Sequence, residues 1–259
     1  MSFNPGLDIR PVGYPLGFSY GPGTFGPEPE VRCLEAIRAS LRDAECSGPD
    51  PVYAIAMDVG TVEHEAELRR RMLLFGLVTF AAGQIGSDPV RSQGHVHRVS
   101  GHSRWRPPEV FEVWTGTAYI YMQEFAADDP GRCFAVIARP GDVVIVPPGW
   151  PHATISGEPK EQLTFGALCD REYGFEYDEV RKRRGLAWYP VLNSAGDITW
   201  EPNPAYRLGL LRICKPRAYD EFGIIPGVPL YEQIVEDFDS FQWVSKPFLA
   251  EPLWENFEP

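Results

Sequence analysis

Between Leu73 and Cys169 short apolar runs follow one another with turn residues in between, and this rhythm leaves few folds open. The runs are LLFGLVTFAAG, EVFEVWTG, AYIYMQEF, CFAVIARPGDVVIVPPG, HATIS and QLTFGALC. They carry the aromatic and β-branched residues that strands favour, and turn signals separate them at short intervals. Strands without long helices between them predict antiparallel pairing in a sandwich or barrel, not a parallel sheet. Proline (26 residues) and glycine (25 residues) are abundant enough to supply the turns.

The flanks read differently. Residues 1–28 are rich in glycine, proline and aromatic residues, which predicts an extended arm lying on another surface, such as a partner subunit. After Pro29, Val31, Leu34, Ile37 and Leu41 recur at helical spacing and predict a helix that SGPDP ends at 47–51. VYAIAMDV (52–59) predicts a strand and EHEAELRRRM (63–72) a short polar helix. Past Arg171, YGFEYDEVRKRRG predicts a helical turn, and further on Leu230, Ile234, Phe238 and Phe241 lie on a helical stripe. The expected organisation is an arm and helix over 1–50, a strand-rich domain over 51–205, and an extension over 206–259 that packs on it.

The formal net charge of −12 argues against nucleic-acid and anionic-membrane surfaces as partners. A small anionic substrate then needs a local cationic patch. Arg91, Arg98, Arg104 and Arg106 cluster in sequence; they read equally as an anion site and as salt-bridge partners for the excess carboxylates. The basic run at 181–184 reads as a solvated helix end. No apolar run reaches 18 residues, and the opening residues lack the basic-then-apolar pattern of a secretory signal. Five cysteines with no CxxC spacing predict reduced thiols and a cytoplasmic protein.

Chemistry concentrates in GHVHRVSGHSRWRPPEVFEVWTG, residues 94–116. On a strand, residues two apart point to one side, so His95 and His97 present two imidazoles together. Glu109 opens the next strand-like run; alternation places it with Phe111 and Val113 and puts Glu112 on the other face. His152 follows a strand that two prolines stop, at the start of the next. A lone histidine is usually a surface or hydrogen-bonded core residue, but three imidazoles and a carboxylate suit one divalent ion, Fe²⁺, Mn²⁺, Ni²⁺, Co²⁺ or Zn²⁺.

Two spacings sharpen this reading. Gly141, Pro147, Gly149 and His152 stand five, one and two residues apart, and six residues separate Glu109 from Gly116. Around an HxH pair, these are the two signature motifs of the cupin superfamily, which the chain resembles. The resemblance implies an all-β cupin barrel (jelly-roll, or double-stranded β-helix) with flanking helices and N- and C-terminal extensions. A closer resemblance covers a little more than half the chain. It is to the cupin-type glucose-6-phosphate isomerases of archaea and some bacteria. PVYAIAMDV, GLVTFAAGQIGSDPVRSQGHVH, PPEVFEVWTGTAYIYMQ, RPGDVVIVPPGWPHATISGEP, GFEYDEVRKRRG and DITWEPNPAY carry it, in the family's order.

That resemblance implies a metal held by His95, His97, Glu109 and His152, usually iron, with the other ions as substitutes. The implied reaction interconverts an aldose phosphate and its ketose, such as glucose 6-phosphate and fructose 6-phosphate, in glycolysis or gluconeogenesis. A metal-stabilised enediolate would form, with Glu109 moving the proton; a hydride shift is the competing route. Thr79, Ser92 and Gly94 match substrate-contacting positions, Tyr177 reads either as a donor to a substrate oxygen or as a lid residue, and a longer gap before Glu109 adds Arg104 and Arg106 near the expected pocket mouth.

The match also departs from the family. Phe111 stands where a tyrosine is usual, Ser92-Gln93-Gly94 where Thr-Lys-Gly or Thr-Arg-Gly is, Phe175-Glu176-Tyr177 where His-Asp-Tyr is, and Cys169 where a tyrosine is. The metal frame is kept while the substrate shell is rewritten, which changes which substrate fits. A cupin dioxygenase and a non-catalytic sugar-binding cupin are the alternatives. Strand pairing between cupins, with the arm and tail as swap elements, predicts a homodimer.

Overall fold

A computed structural model describes residues 3–259; Met1 and Ser2 of the predicted arm lie outside the described residues. The arm forms a hairpin of β1 (Ile9–Gly13) and β2 (Leu16–Tyr20). The barrel strands begin with β3 (Glu30–Arg32), β4 (Tyr53–Met57), β5 (Leu73–Phe80), β6 (Val96–His97) and β7 (Glu109–Thr115). They continue with β8 (Ala118–Gln123), β9 (Cys133–Ala138), β10 (Val143–Val146) and β11 (His152–Ser156). The last are β12 (Leu163–Asp170), β13 (Phe175–Glu176) and β14 (Leu211–Cys214).

Two sheets make the barrel. One has six strands in the order β10-β7-β12-β5-β4-β3 and the other has four, β11-β8-β9-β14. Every pairing within them is antiparallel except β9 with β14. This is the jelly-roll barrel expected from the sequence, and strand alternation explains why it forms. On β7, Phe111 and Val113 face the interior between the sheets, while Val110 and Trp114 face outward into a second apolar layer. On β8, Ala118, Ile120 and Met122 face inward, while Tyr119 and Tyr121 turn outward against Trp200. Both faces of both sheets are therefore covered, which is why the strands read as nearly continuous apolar runs.

The outer layer of the six-stranded sheet comes from the two ends of the chain. Leu7 and Ile9 share one buried cluster with Leu230 and Ile234 of α4, labelled after α1 (Leu34–Ile37), α2 (Glu65–Arg70) and α3 (Asp178–Lys182), with α4 spanning Leu230–Glu236. The arm thus lies on its own barrel. The predicted helical stripe at 230–241 is broken at Asp237, whose carboxylate accepts from the Asp239 and Ser240 amides and caps a new 3₁₀ turn. Leu230, Ile234 and Phe241 are still buried.

The helix expected after Pro29 is mostly absent. Residues 30–32 pair instead with β4, Val31 opposite Ala54, leaving Val31 47% exposed. Only Leu34–Ile37 and a 3₁₀ turn at Arg38–Ser40 are helical, and they bury Leu34, Ile37 and Leu41. Edge-strand hydrogen bonds to a distant segment outweigh the local helical spacing. Among the described residues no helix is long and apolar enough to cross a membrane, and the five cysteines are free thiols.

Candidate metal centre

Four side chains converge inside the barrel. His95, His97, Glu109 and His152 each offer one ligand atom, and these atoms all lie within 4.8 Å of one another. Two turns deliver the two ends of the cluster. β10 ends at Pro147-Pro148, and Gly149 reverses the chain at φ +77°, so that His152 opens β11. Gly116 turns the chain out of β7, also at φ +77°, where a Cβ would stand 2.9 Å from the Gln162 carbonyl. The backbones of His95 and His152 exchange hydrogen bonds (3.1 and 3.0 Å), and His97 pairs with Phe175 across β6–β13.

The hydrogen bonds fix how the imidazoles face. Nδ1 of His97 lies 2.9 Å from the Pro107 carbonyl and Nδ1 of His152 lies 2.9 Å from the Trp150 carbonyl. A carbonyl only accepts, so each Nδ1 donates, and a neutral ring then turns an Nε2 lone pair inward. Both lone pairs meet the same carboxylate oxygen: Glu109 Oε2 is 3.0 Å from His152 Nε2 and 3.2 Å from His97 Nε2. The His97 contact is off the line of a hydrogen bond, so that Nε2, like the Nε2 of His95, is buried without a hydrogen-bond partner. Converging lone pairs beside a carboxylate are what a divalent cation satisfies, so these residues fit a metal ion.

In the metal-free cluster the charge balance follows burial at His95 and runs against it at His97 and Glu109. Burial, then the His152 and His97 rings, hold His95 well below the usual imidazole range, which keeps it a neutral donor. Burial also opposes a charge on His97, but the Glu109 carboxylate and the Pro107 carbonyl outweigh it and the net shift is upward. Burial works against ionised Glu109 too, yet its contacts with His152 and His97 hold it below the usual carboxylate range. The carboxylate is thus ionised and buried, with only imidazoles for partners.

A cavity of about 60 Å³ lies beside the cluster, between the sheets, and opens toward solvent. Its wall is mainly apolar (Ile55, Val78, Phe80, Phe111, Phe165, Phe175), and no lysine or arginine lines it among the described residues. The predicted substrate residues divide. Ser92 and Tyr177 line the space. Thr79 does not: it is fully buried, and its hydroxyl is 3.0 Å from that of Thr164. Gly94 sits at φ +84° beneath Leu186 and Val180, outside the lining.

Arg104 is exposed on the surface loop, away from the cavity wall. Arg106 donates to the His97 carbonyl and, at 2.8 Å, to Glu176, so its guanidinium ties the longer loop to β13 instead of facing the cavity. Both arginines are displaced because the insertion folds outward. Ser100 and the His102 amide bond Glu172, and the Arg98 amide bonds the Gly174 carbonyl at 2.7 Å. Sequence reasoning did not find Tyr53 and Gln93 as wall residues; Gln93 sits inside the quoted Ser92-Gln93-Gly94 stretch, whereas Tyr53 gives no signal beyond its strand.

The two-sheet barrel with three histidines and a glutamate inside it defines a cupin with a candidate metal centre. Residues 31–207 match the model of the family described as glucose-6-phosphate isomerase (GPI). The chain belongs to that family, which places it among the isomerases. Relatives bear the same description. The glucose-6-phosphate isomerase of Thermococcus gammatolerans is 25% identical over 203 residues, 76% of this chain and 97% of the relative. That of Sinorhizobium medicae is 25% identical over 135 residues, 52% of this chain and 58% of the relative. Among solved structures, an oxalate oxidase is similar over 48% of this chain and 54% of its own, at 18% identity and a TM-score of 0.34.

Proposed function

We propose that this protein is a metal-dependent aldose–ketose isomerase acting on a sugar phosphate, with glucose 6-phosphate and fructose 6-phosphate as the first pair to test. His95, His97, Glu109 and His152 hold its divalent ion, and iron is the ion we assign. The supporting observation is the convergence of these donors, two of whose Nε2 atoms lack hydrogen-bond partners, beside a mainly apolar cavity that His95, Glu109 and His152 line. The family match favours this reading over an oxygenase or a binding protein.

A bound divalent ion supplies Lewis acidity for neighbouring hydroxyl and carbonyl oxygens of the substrate. The chain supplies the rest. Glu109, at the cavity wall, takes the proton from C2 and returns it to C1, while the hydroxyl proton on O2 passes to O1. The aromatic wall keeps bulk water from the reacting carbons. Ser92 Oγ accepts from the Thr154 amide at 3.1 Å, which leaves its own proton for a substrate oxygen, and Tyr177 offers a phenol at the rim. We place the protein in the cytoplasm as a homodimer in sugar-phosphate metabolism; sedimentation as a monomer alone contradicts the dimer.

The test is an aldose/ketose phosphate screen on tag-free protein, with and without chelator. Anaerobic turnover that the chelator abolishes and the divalent ion restores, together with solvent deuterium appearing in product, is the expected result. Oxygen consumption, or turnover indifferent to chelator, overturns the reading.

A further inference from the structure

A phosphate monoester carries nearly two negative charges at neutral pH, and an aromatic wall without a cation is a costly place to put it. The cavity beside Glu109 offers no lysine or arginine in its wall among the described residues. If the carbonyl end of a sugar phosphate reaches Glu109, its phosphate end must lie where a cation stands at the rim.

The rim on the Tyr177 side holds such a cation. Tyr177 and Gln93 both line the cavity, and Tyr177 is half-exposed. Arg181, on α3, stacks its guanidinium 4.7 Å from the centre of the Tyr177 ring. Its Nε donates to Gln93 Oε1 at 3.0 Å, and Gln93 is only 3% exposed. The ring and the amide together fix the guanidinium and leave its terminal N–H groups free.

Its charge is also uncommitted. Arg181 makes no ion pair among the described residues, in a chain of net charge −12. Its neighbour Arg183, by contrast, is paired with both Glu179 and Asp128. A second cation is near: Arg32 stands opposite the wall residue Tyr53 in the β3–β4 register, though its charge is shared with Glu30.

We propose that Arg181, positioned by Tyr177 and Gln93, is the anion reader of this site: it holds the phosphate end of the substrate at the cavity rim and selects phosphorylated over free sugars. This rests on the isomerase reading above and names the residue that would give it phosphate specificity. Planar guanidinium groups bind phosphate through two parallel hydrogen bonds, so lysine is an incomplete substitute.

The test uses full-length, metal-loaded protein as wild type, Arg181→Gln, Arg181→Lys and a control on the same helix, Lys182→Gln. Calorimetric binding of inorganic phosphate needs no turnover. The Kd for phosphate should rise about tenfold to a hundredfold in Arg181→Gln, less in Arg181→Lys and not in Lys182→Gln. With a turned-over sugar phosphate, KM should rise by a similar factor in Arg181→Gln while kcat stays within about twofold, and Lys182→Gln should change neither. Unchanged phosphate affinity in Arg181→Gln, or wild-type protein that binds no phosphate, overturns the proposal. The two readings fail separately: isomerisation with a KM indifferent to Arg181→Gln sinks only the anion reader. Arg181-dependent phosphate binding without isomerisation of any aldose phosphate sinks only the isomerase.

Discussion

Glu109 is the residue on which the proposed chemistry turns, because in that proposal it is both a metal donor and the base. Glu109→Gln keeps its size and removes its charge, so it should leave the fold intact, weaken metal binding and lower kcat by about 10²–10⁴. Metal per chain after dialysis, read beside kcat, checks this; full turnover at full occupancy contradicts it. Much of this site was legible in sequence. The HxH alternation gave one side to His95 and His97, and strand parity separated Glu109 from Glu112. The Pro107 and Trp150 carbonyls that orient the imidazoles were not legible, since loop geometry decides where a backbone oxygen points. Nor was the outward turn of Arg104 and Arg106, which depends on Glu172 and Glu176 from a segment 70 residues away.

At the scale of elements, Glu112 joins β7 to α4. Its two oxygens accept from the Leu230 amide at 2.6 Å and the Trp114 indole at 3.0 Å. Burial nevertheless pushes its carboxyl from 4.5 up to about 7. The folded protein therefore holds this proton more tightly than the unfolded chain. The stabilisation is complete below about pH 4.5 and is lost as pH rises through 7, a swing on the order of 3 kcal/mol. Glu112→Gln stays neutral throughout, so denaturant midpoints should show wild type losing ground to the variant between pH 5 and 8. Parallel pH profiles contradict the assignment. Turns behave more simply: Gly116→Ala puts a Cβ at positive φ and against the Gln162 carbonyl, and should cost about 1–2 kcal/mol or more in the same measurement. The central strands were readable because period-2 alternation is local. β3 was not: its partner, β4, is some 20 residues on, and residues 31–41 have helical spacing that one short turn already satisfies.

For the whole molecule, both sheets are buried on both faces, by the N-terminal hairpin and C-terminal helices on one side and by residues around Trp200 on the other. Such a layered barrel holds its four donors in place before any ion arrives, so binding should stabilise the fold without reorganising it. An ion at a hundred times its Kd adds about 2.7 kcal/mol, so chelation should lower Tm by several degrees with little change in circular dichroism. The shared-ion claim itself is tested most directly by anomalous diffraction at the absorption edge of the added metal. The account predicts one strong peak per chain, about 2.0–2.3 Å from donor atoms of His95, His97, Glu109 and His152. A map with no peak there, or with Glu109 turned away from an ion held elsewhere, would contradict it.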